Sequence, residues 1–327
     1  MSTQPLISVV IPTRNRPSVV QRAVHSALSQ TFSDIEVVVV IDGSDPATSQ
    51  ALREIADPRV RMVELPESVG GSEARNTGAR AARGEWVALL DDDDEWMPEK
   101  LQKQMAVASR SSYEYPIVVT AMIARSPQAD FRWPKKPPTY PLSEYLFVRN
   151  SPFQGESVLQ TSTFLTKREL LMNVPFTKGL RRHQDWDWIL RAGNAPGARV
   201  EFVPEALTIW HIDDPLSPIK TQYDWRYSLQ WIRANPQLVT PKAYAGLMAV
   251  TLSSQAAWQR DWKAFFPLLR EIFVGSPRFM DLALFFAMWL VPKRVRRGVR
   301  SLVTRERSGK VISAGMISDP KQPQPGF

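Results

Sequence analysis

Apolar positions in the first hundred residues fall into short blocks that alternate between two periods. Residues 6–11 are almost wholly apolar, and residues 35–41 are apolar and largely β-branched. Runs of this kind predict strands covered on both faces. Between them, Pro17 opens a segment whose Val19, Val20, Ala23, Val24, Ala27 and Leu28 share one helical face. The alternation continues: a helix over about 49–56, a strand over 60–65, a helix from Ser72 towards Gly84, a strand over 85–90. A helix then starts at Pro98, with Leu101, Met105 and Ala108 at core spacing. Repeated units of strand and helix predict an α/β fold with a mainly parallel sheet and helices on both faces.

Beyond Ser112 the pattern loosens. Residues 117–123 and 160–166 read as strands, and the proline-rich stretch 127–141 as a surface loop. A short helix is expected within 180–192, with closing strands at 200–203 and 207–210. From about Pro215 the periodicity becomes helical, over 222–233, 241–259, 261–273 and 278–290. After Ser308 it stops, and the ending Pro-Lys-Gln-Pro-Gln-Pro-Gly-Phe predicts a disordered tail. Three regions result: an α/β region over 1–215, a helical appendage over 216–307, and the tail over 308–327.

Composition narrows the chemistry. The 327 residues include no cysteine, which excludes disulfides and thiolate metal sites and suits a reducing compartment. Met1 to Pro5 carry no signal-peptide pattern. A net charge of +8 suits anionic partners such as nucleotide phosphates or acidic lipids. Nucleic acid is disfavoured, since the basic residues gather near the C-terminus without a recognisable binding motif.

The candidate chemistry sits at strand ends, where open α/β sheets bind ligands. Pro12-Thr13-Arg14-Asn15-Arg16 follows the first strand, Asp42-Gly43-Ser44 the second, and Asp91-Asp92-Asp93-Asp94-Glu95-Trp96 the strand that ends at Leu90. Carboxylates packed at a strand end ask for a cation, and Mg²⁺ and Mn²⁺ prefer oxygen ligands. A solvated acidic loop is the plainer reading of such a run. Gly70-Gly71 leads into a helix that carries Arg75, presenting free backbone N–H groups and a cation to an anion; a simple turn with a surface arginine is the alternative.

In combination these segments resemble the family 2 glycosyltransferases over about residues 5–213. The segments are Ser-Val-Val-Ile-Pro-Thr-Arg-Asn-Arg, Val-Val-Ile-Asp-Gly-Ser, Glu-Ala-Arg-Asn-Thr-Gly and Leu-Leu-Asp-Asp-Asp-Asp-Glu-Trp. The resemblance implies the GT-A fold and inverting, metal-dependent transfer from a nucleoside-diphosphate sugar. It implies that Asp42 reads the nucleobase, that Pro12 and Thr13 line the nucleoside pocket, and that Arg75 lies near the nucleotide. Asp91 and Asp93 match the outer acids of the Asp-x-Asp element, with Asp93 the expected contact to Mn²⁺ or Mg²⁺. Asp92 fills the variable middle position, a bystander to the outer acids with a contact to the nucleotide as the alternative, and Asp94 is expected to cap the turn before Pro98.

Two positions depart from the family pattern. Arg14 stands where an aromatic residue is common, and can itself lie flat on a base or touch phosphate. Ile41 replaces an acid before Asp42. Both departures are compatible with nucleotide binding but weaken the assignment of UDP over other nucleotides.

His183-Gln184-Asp185-Trp186-Asp187-Trp188 resembles the family segment Glu-Asp-Trp-Asp. The resemblance implies that Asp185 is the general base for the acceptor hydroxyl. An ordinary acid at a helix start is the alternative. His211 stands where related enzymes bring a histidine to the metal or diphosphate. Trp186, Trp188 and Trp210 either form an acceptor platform or pack in the core.

Residues 282–291 are almost all apolar and are followed by Pro292 and by Lys293, Arg294, Arg296, Arg297 and Arg300. This suits shallow insertion at an anionic membrane face, or a buried helix closing the appendage. The implied partners are a nucleotide-sugar donor and a saccharide or lipid-linked acceptor, with a cytoplasmic location, peripheral on the membrane in the first case. A sugar nucleotidyltransferase and a catalytically inactive carbohydrate- or nucleotide-binding module are the competing readings.

Overall fold

The computed structural model describes residues 4–126, 130–150, 157–212 and 224–291. The expected tail beyond Ser308 and the basic residues from Lys293 to Arg300 lie outside the described residues.

The first half alternates as its periodicity predicts: β1 (Ile7–Thr13), α1 (Pro17–Leu28), β2 (Ile35–Ile41), α2 (Pro46–Arg53), β3 (Val60–Glu64), α3 (Gly71–Ala81) and β4 (Trp86–Leu89). A two-residue β5 (Glu95–Trp96) and α4 (Lys100–Ala108) follow. The chain then forms β6 (Tyr115–Arg125), β7 (Asp130–Trp133), α5 (Leu142–Phe147), β8 (Phe164–Lys167), α6 (Arg168–Asn173), α7 (Gln184–Ala192) and β9 (Ala198–His211). The helical end comprises α8 (Trp225–Ala234), α9 (Pro241–Gly246), a π-helical stretch Leu247–Leu252, α10 (Ser253–Trp258), α11 (Phe265–Val274) and α12 (Phe279–Leu290).

Among the described residues all the strands join one sheet, ordered β3-β2-β1-β4-β8-β6-β9-β5, with β7 added to β6. β1, β2, β3 and β4 run parallel, as do the long neighbours β6 and β9. β8 is antiparallel to both β4 and β6, so the sheet is mixed where its two parallel parts meet. Strand order reverses at β1, which lies between β2 and β4, and the crevice at the carboxyl ends of these strands is the expected ligand position.

Alternate residues of each strand serve opposite layers. Ile7, Val9 and Ile11 join Val37, Val39 and Ile41 under α1, α2 and α4. Val10, Val38, Val40, Val87 and Leu89 face the other way, into a core shared with α3, α7 and the C-terminal helices. The helical appendage is thus continuous with one face of the sheet.

Four sequence expectations change. Of the strand expected at 160–166, Thr161–Thr163 form a 3-10 turn and only the part from Phe164 on is strand, in β8. The 127–141 stretch is not wholly loop, because Asp130–Trp133 pairs with the end of β6, at a sheet edge where flanking prolines are tolerated. The strands expected at 200–203 and 207–210 are one strand, β9. Its register shifts opposite Thr120 and Ala121, which accommodates Pro204 in a bulge. The 241–259 helix contains the π-helical stretch.

Candidate active site

The turn after β1 is fixed from both sides. The backbone N–H of Asn15, in the left-handed region at φ 54°, donates to Asp45 Oδ2 at 2.7 Å, and Asp45 also caps α2 through Thr48 N–H. Thr13 Oγ1 donates to Asp92 Oδ2 at 2.7 Å. Arg16, placed just before Pro17 starts α1, spans Asp92 Oδ1 at 2.8 Å and Asp93 Oδ2 at 3.0 Å.

The four aspartates after β4 therefore have distinct surroundings. Asp91 accepts from the Arg75 guanidinium and from Gln160 Nε2, and its own N–H donates to Ser162 Oγ. Asp92 is buried; burial pushes its carboxyl up to about 6, the Asp93 charge adds to this, and Arg16 opposes it. Asp93 shares Arg16, and its carbonyl accepts from Arg22. Asp94 is fully buried beneath them, accepting from Gln160 Nε2 at 2.5 Å and Ser162 Oγ at 2.6 Å. Burial, with the charges of Asp93 and Asp91, holds this carboxyl well above the usual range. Asp94 is thus an internal anchor for the acidic loop, correcting the expected turn cap.

Helix α3 lies unusually close to the sheet. A Cβ on Gly78 would stand 2.2 Å from Val10 Cγ1, so only glycine permits this approach. It brings Arg75 over the crevice, where Nη1 donates to Gln184 Oε1 at 2.6 Å and Nη2 to Asp91. Asp42, at the end of β2, accepts from Val69 N–H at 2.6 Å, Ser68 Oγ at 2.9 Å and Gly70 N–H at 3.0 Å. Its carboxylate thereby holds the loop that leads into α3, with Gly70 at φ 86°.

Across the crevice, His183 adopts φ 63° and caps α7. Gln184 links that helix to Arg75, and Asp185 faces the cleft. Burial pushes the Asp185 carboxyl up to about 6; the Trp186 N–H opposes this, the Asp91 charge adds to it, and Arg75 opposes it. A carboxylate with that basicity, exposed to a shared cavity, can accept a hydroxyl proton near neutral pH. Asp187 turns inward instead, bonded to Arg191, Thr177 and Trp231.

One cleft of about 1070 Å³ is lined by Pro12, Thr13, Arg14, Asp42, Arg75, Asp91, Asp92, Asp93 and Asp185. Of the predicted site residues, His211 alone is not on this wall. It ends β9 beside β5, where its Nε2 lies 2.6 Å from Glu95 Oε1. None of the three tryptophans lines the cleft. Trp188 is buried on Phe176, Trp186 stacks on His183, and Trp210 packs on Trp133. Thr161, Arg181 and Arg182 also line it, as does Arg16, to which the family pattern assigns no separate role. The pair Arg181-Arg182, immediately before His183, was the available signal in the sequence.

The pattern described as Glycosyl transferase family 2 matches residues 8–174, half of the chain. The chain belongs to glycosyltransferase family 2. It is 32% identical over 223 residues to the succinoglycan biosynthesis protein ExoO of Rhizobium meliloti, covering 64% of this chain and 61% of that one. To the amylovoran biosynthesis glycosyltransferase AmsB of Erwinia amylovora it is 27% identical, covering 72% and 80%. The chain therefore spans about three-fifths of ExoO and four-fifths of AmsB. Among solved structures, S. aureus TarS 1-349 in complex with UDP-GlcNAc aligns over 92% of this chain and 87% of its own, with a TM-score of 0.53 at 18% identity. The mannosyltransferase PcManGT of Pyrobaculum calidifontis, in complex with GDP-Man and Mn²⁺, aligns over 94% and 82%, with a TM-score of 0.50 at 18% identity. These structural likenesses establish the GT-A-like mixed α/β fold.

Proposed function

We propose that this family 2 glycosyltransferase moves a sugar from a nucleoside-diphosphate donor to an acceptor hydroxyl with inversion, in the synthesis of an envelope polysaccharide or glycolipid. The carrying observation is that Asp185 stands across one cleft from the acidic loop, joined to it through Gln184, Arg75 and Asp91. Inversion needs a base on the face opposite the leaving diphosphate, and Asp185 takes the acceptor proton there as the glycosidic bond forms. Thr13, Arg14 and Asp42 form the nucleotide side, and Arg75 offsets charge near the phosphates. Relatives named for succinoglycan, amylovoran and colanic acid biosynthesis support the polymer context. One named for transfer from UDP-Glc to a diphosphoundecaprenol acceptor supports a UDP-sugar donor and a lipid-linked acceptor.

Asp91 and Asp93 fit a divalent cation in kind, as hard oxygen donors on the cleft wall. Among the described residues no three His, Cys, Asp or Glu side chains gather into a cage. That donor set suits Mg²⁺ or Mn²⁺ completed by donor phosphates, since such ions commonly take only one or two carboxylates. When bound, the ion supplies positive charge to the departing diphosphate. His211 lies off this wall, so the assignment rests on Asp91 and Asp93. A cysteine-free chain using a nucleotide sugar suits the cytoplasm.

The test is a panel of UDP- and GDP-sugars with the purified protein and Mn²⁺, read by donor hydrolysis and thermal shift. At least one UDP-sugar should be hydrolysed and should stabilise the fold more with Mn²⁺ than without. No response to any nucleotide sugar would overturn the reading. Unchanged Mn²⁺-dependent nucleotide affinity in Asp93→Ala would remove the metal assignment alone.

A further inference from the structure

The α11–α12 hairpin carries more apolar surface than its own packing uses. Its inner side is filled by Phe265, Phe285 and Trp289, with Phe265 ring centroids 5.0 Å from Phe285 and 5.4 Å from Trp289. In α12 every residue but Asp281 is apolar. The surplus points outward. Phe279 (86% exposed), Ala283, Phe286 and Leu290 (67%) recur at spacings of three and four residues along α12, which places them on one helical face. On α11 the exposed side carries Phe266 (76%), Phe273 and Val274, and Trp262 extends it from the preceding turn.

Charge on this surface has one sign. Residues 262–291 contain two acids, and both are turned inside: Glu271 is bonded to Arg233 and Tyr244, and Asp281 to Arg278. The charged side chains exposed on the hairpin are Lys263 and Arg270. The sequence that follows at once supplies Lys293, Arg294, Arg296, Arg297 and Arg300.

We propose that the outer face of α11–α12 docks on an anionic phospholipid bilayer, its phenylalanines entering the boundary between headgroups and acyl chains. An exposed phenylalanine cluster has no reason to persist in water, whereas that boundary accepts apolar side chains on one level and cations on the next. No helix among the described residues is long and apolar enough to cross a membrane, so the hairpin lies in the surface rather than through it. The absence of exposed acid is the complement an anionic leaflet requires, and a neutral protein partner would not select it.

The surface is tied to the cleft. Glu271 of α11 holds Arg233 of α8, and α8 in turn seats His183 against Trp231, 4.8 Å between ring centroids, with Ser228 Oγ 2.8 Å from His183 Nε2. His183 stands two residues before Asp185. Docking therefore sets the attitude of the cleft to the bilayer, which serves a lipid-linked acceptor if the proposed transferase reading holds; the docking itself does not depend on that reading.

The experiment is flotation of the full chain with vesicles of phosphatidylcholine alone and of phosphatidylcholine and phosphatidylglycerol in equal parts. The wild type should float with the anionic vesicles and far less with the neutral ones. The combined variant Phe266→Ser, Phe273→Ser, Phe279→Ser should lose on the order of a hundredfold in partitioning, with thermal unfolding little changed because the three side chains are 76%, 61% and 86% exposed. Replacing the five basic residues from Lys293 to Arg300 with Gln should cost about fivefold per charge on anionic vesicles and little on neutral ones. Three results would each overturn the proposal. They are flotation of the serine variant equal to wild type, indifference of the wild type to phosphatidylglycerol, and a lipid-free dimer that the serine variant dissolves, which would give the face to a second copy.

Discussion

In the cleft, carboxylates crowd together and are partly or wholly withdrawn from water; on the α11–α12 face, phenylalanines sit where water is plentiful. Both arrangements run against the usual sorting of side chains, and they differ in how the cost is met. Each acid of the loop after β4 has partners within the chain: Arg75 and Gln160 for Asp91, Thr13 and Arg16 for Asp92, Arg16 for Asp93, Gln160 and Ser162 for Asp94. The exposed phenylalanines of the hairpin have their outer faces free of any such compensation. A buried polar group answered from inside describes a site assembled by folding. An exposed apolar group left unanswered describes a surface completed from outside.

The largest effect separating the regions is expected at Asp185. Asp185→Asn should lower turnover by about 10²–10⁴-fold while donor affinity stays within about twofold, measured by initial rates and nucleotide titration. Retention of full activity would end the base assignment.

A pH profile sharpens the same point. The Asp185 carboxyl is raised to about 6, so its basic form is lost below that pH. Turnover should fall about tenfold per pH unit below about 6 and level off above it. The linkage to stability has the opposite direction. Protonation favours the folded state, so the stability from this carboxyl is present below its unfolded range near 4 and is lost as pH rises through about 6. Asp185→Asn should remove that slope from the unfolding data.

Next comes the anchor beneath the cleft. Asp94→Ala leaves Gln160 and Ser162 short of a buried partner and should destabilise by about 1–3 kcal/mol in denaturant unfolding. A change near zero would mean that the loop stands without its anchor. The smallest effect belongs to the hairpin: Phe279→Ser should alter folding stability by less than about 0.5 kcal/mol, since the side chain is 86% exposed. A large loss there would show that the face is part of the core after all, and would erase the contrast.

Much of this molecule is written in its order of residues. Apolar blocks of two periods mark β1 to β4 and the helices between them, because a strand covered on both sides and an amphipathic helix cannot be built from the same pattern. Asp42, Asp91, Asp93 and Asp185 stand out at strand and helix ends, where backbone geometry turns side chains towards a crevice, and Arg75 in the helix that follows the paired glycines. Tertiary structure decided what lies across gaps in the sequence. It set Arg16 between Asp92 and Asp93, sent Asp94 down to Gln160 and Ser162, and gave His211 to Glu95. It also made a strand of Asp130–Trp133 and drew Trp188 into the core. Local sequence encodes period and chain direction, since these depend on neighbours three or four residues away. The partner of a charged or aromatic side chain depends on which distant segment the sheet order sets beside it, and only the folded chain fixes that distance.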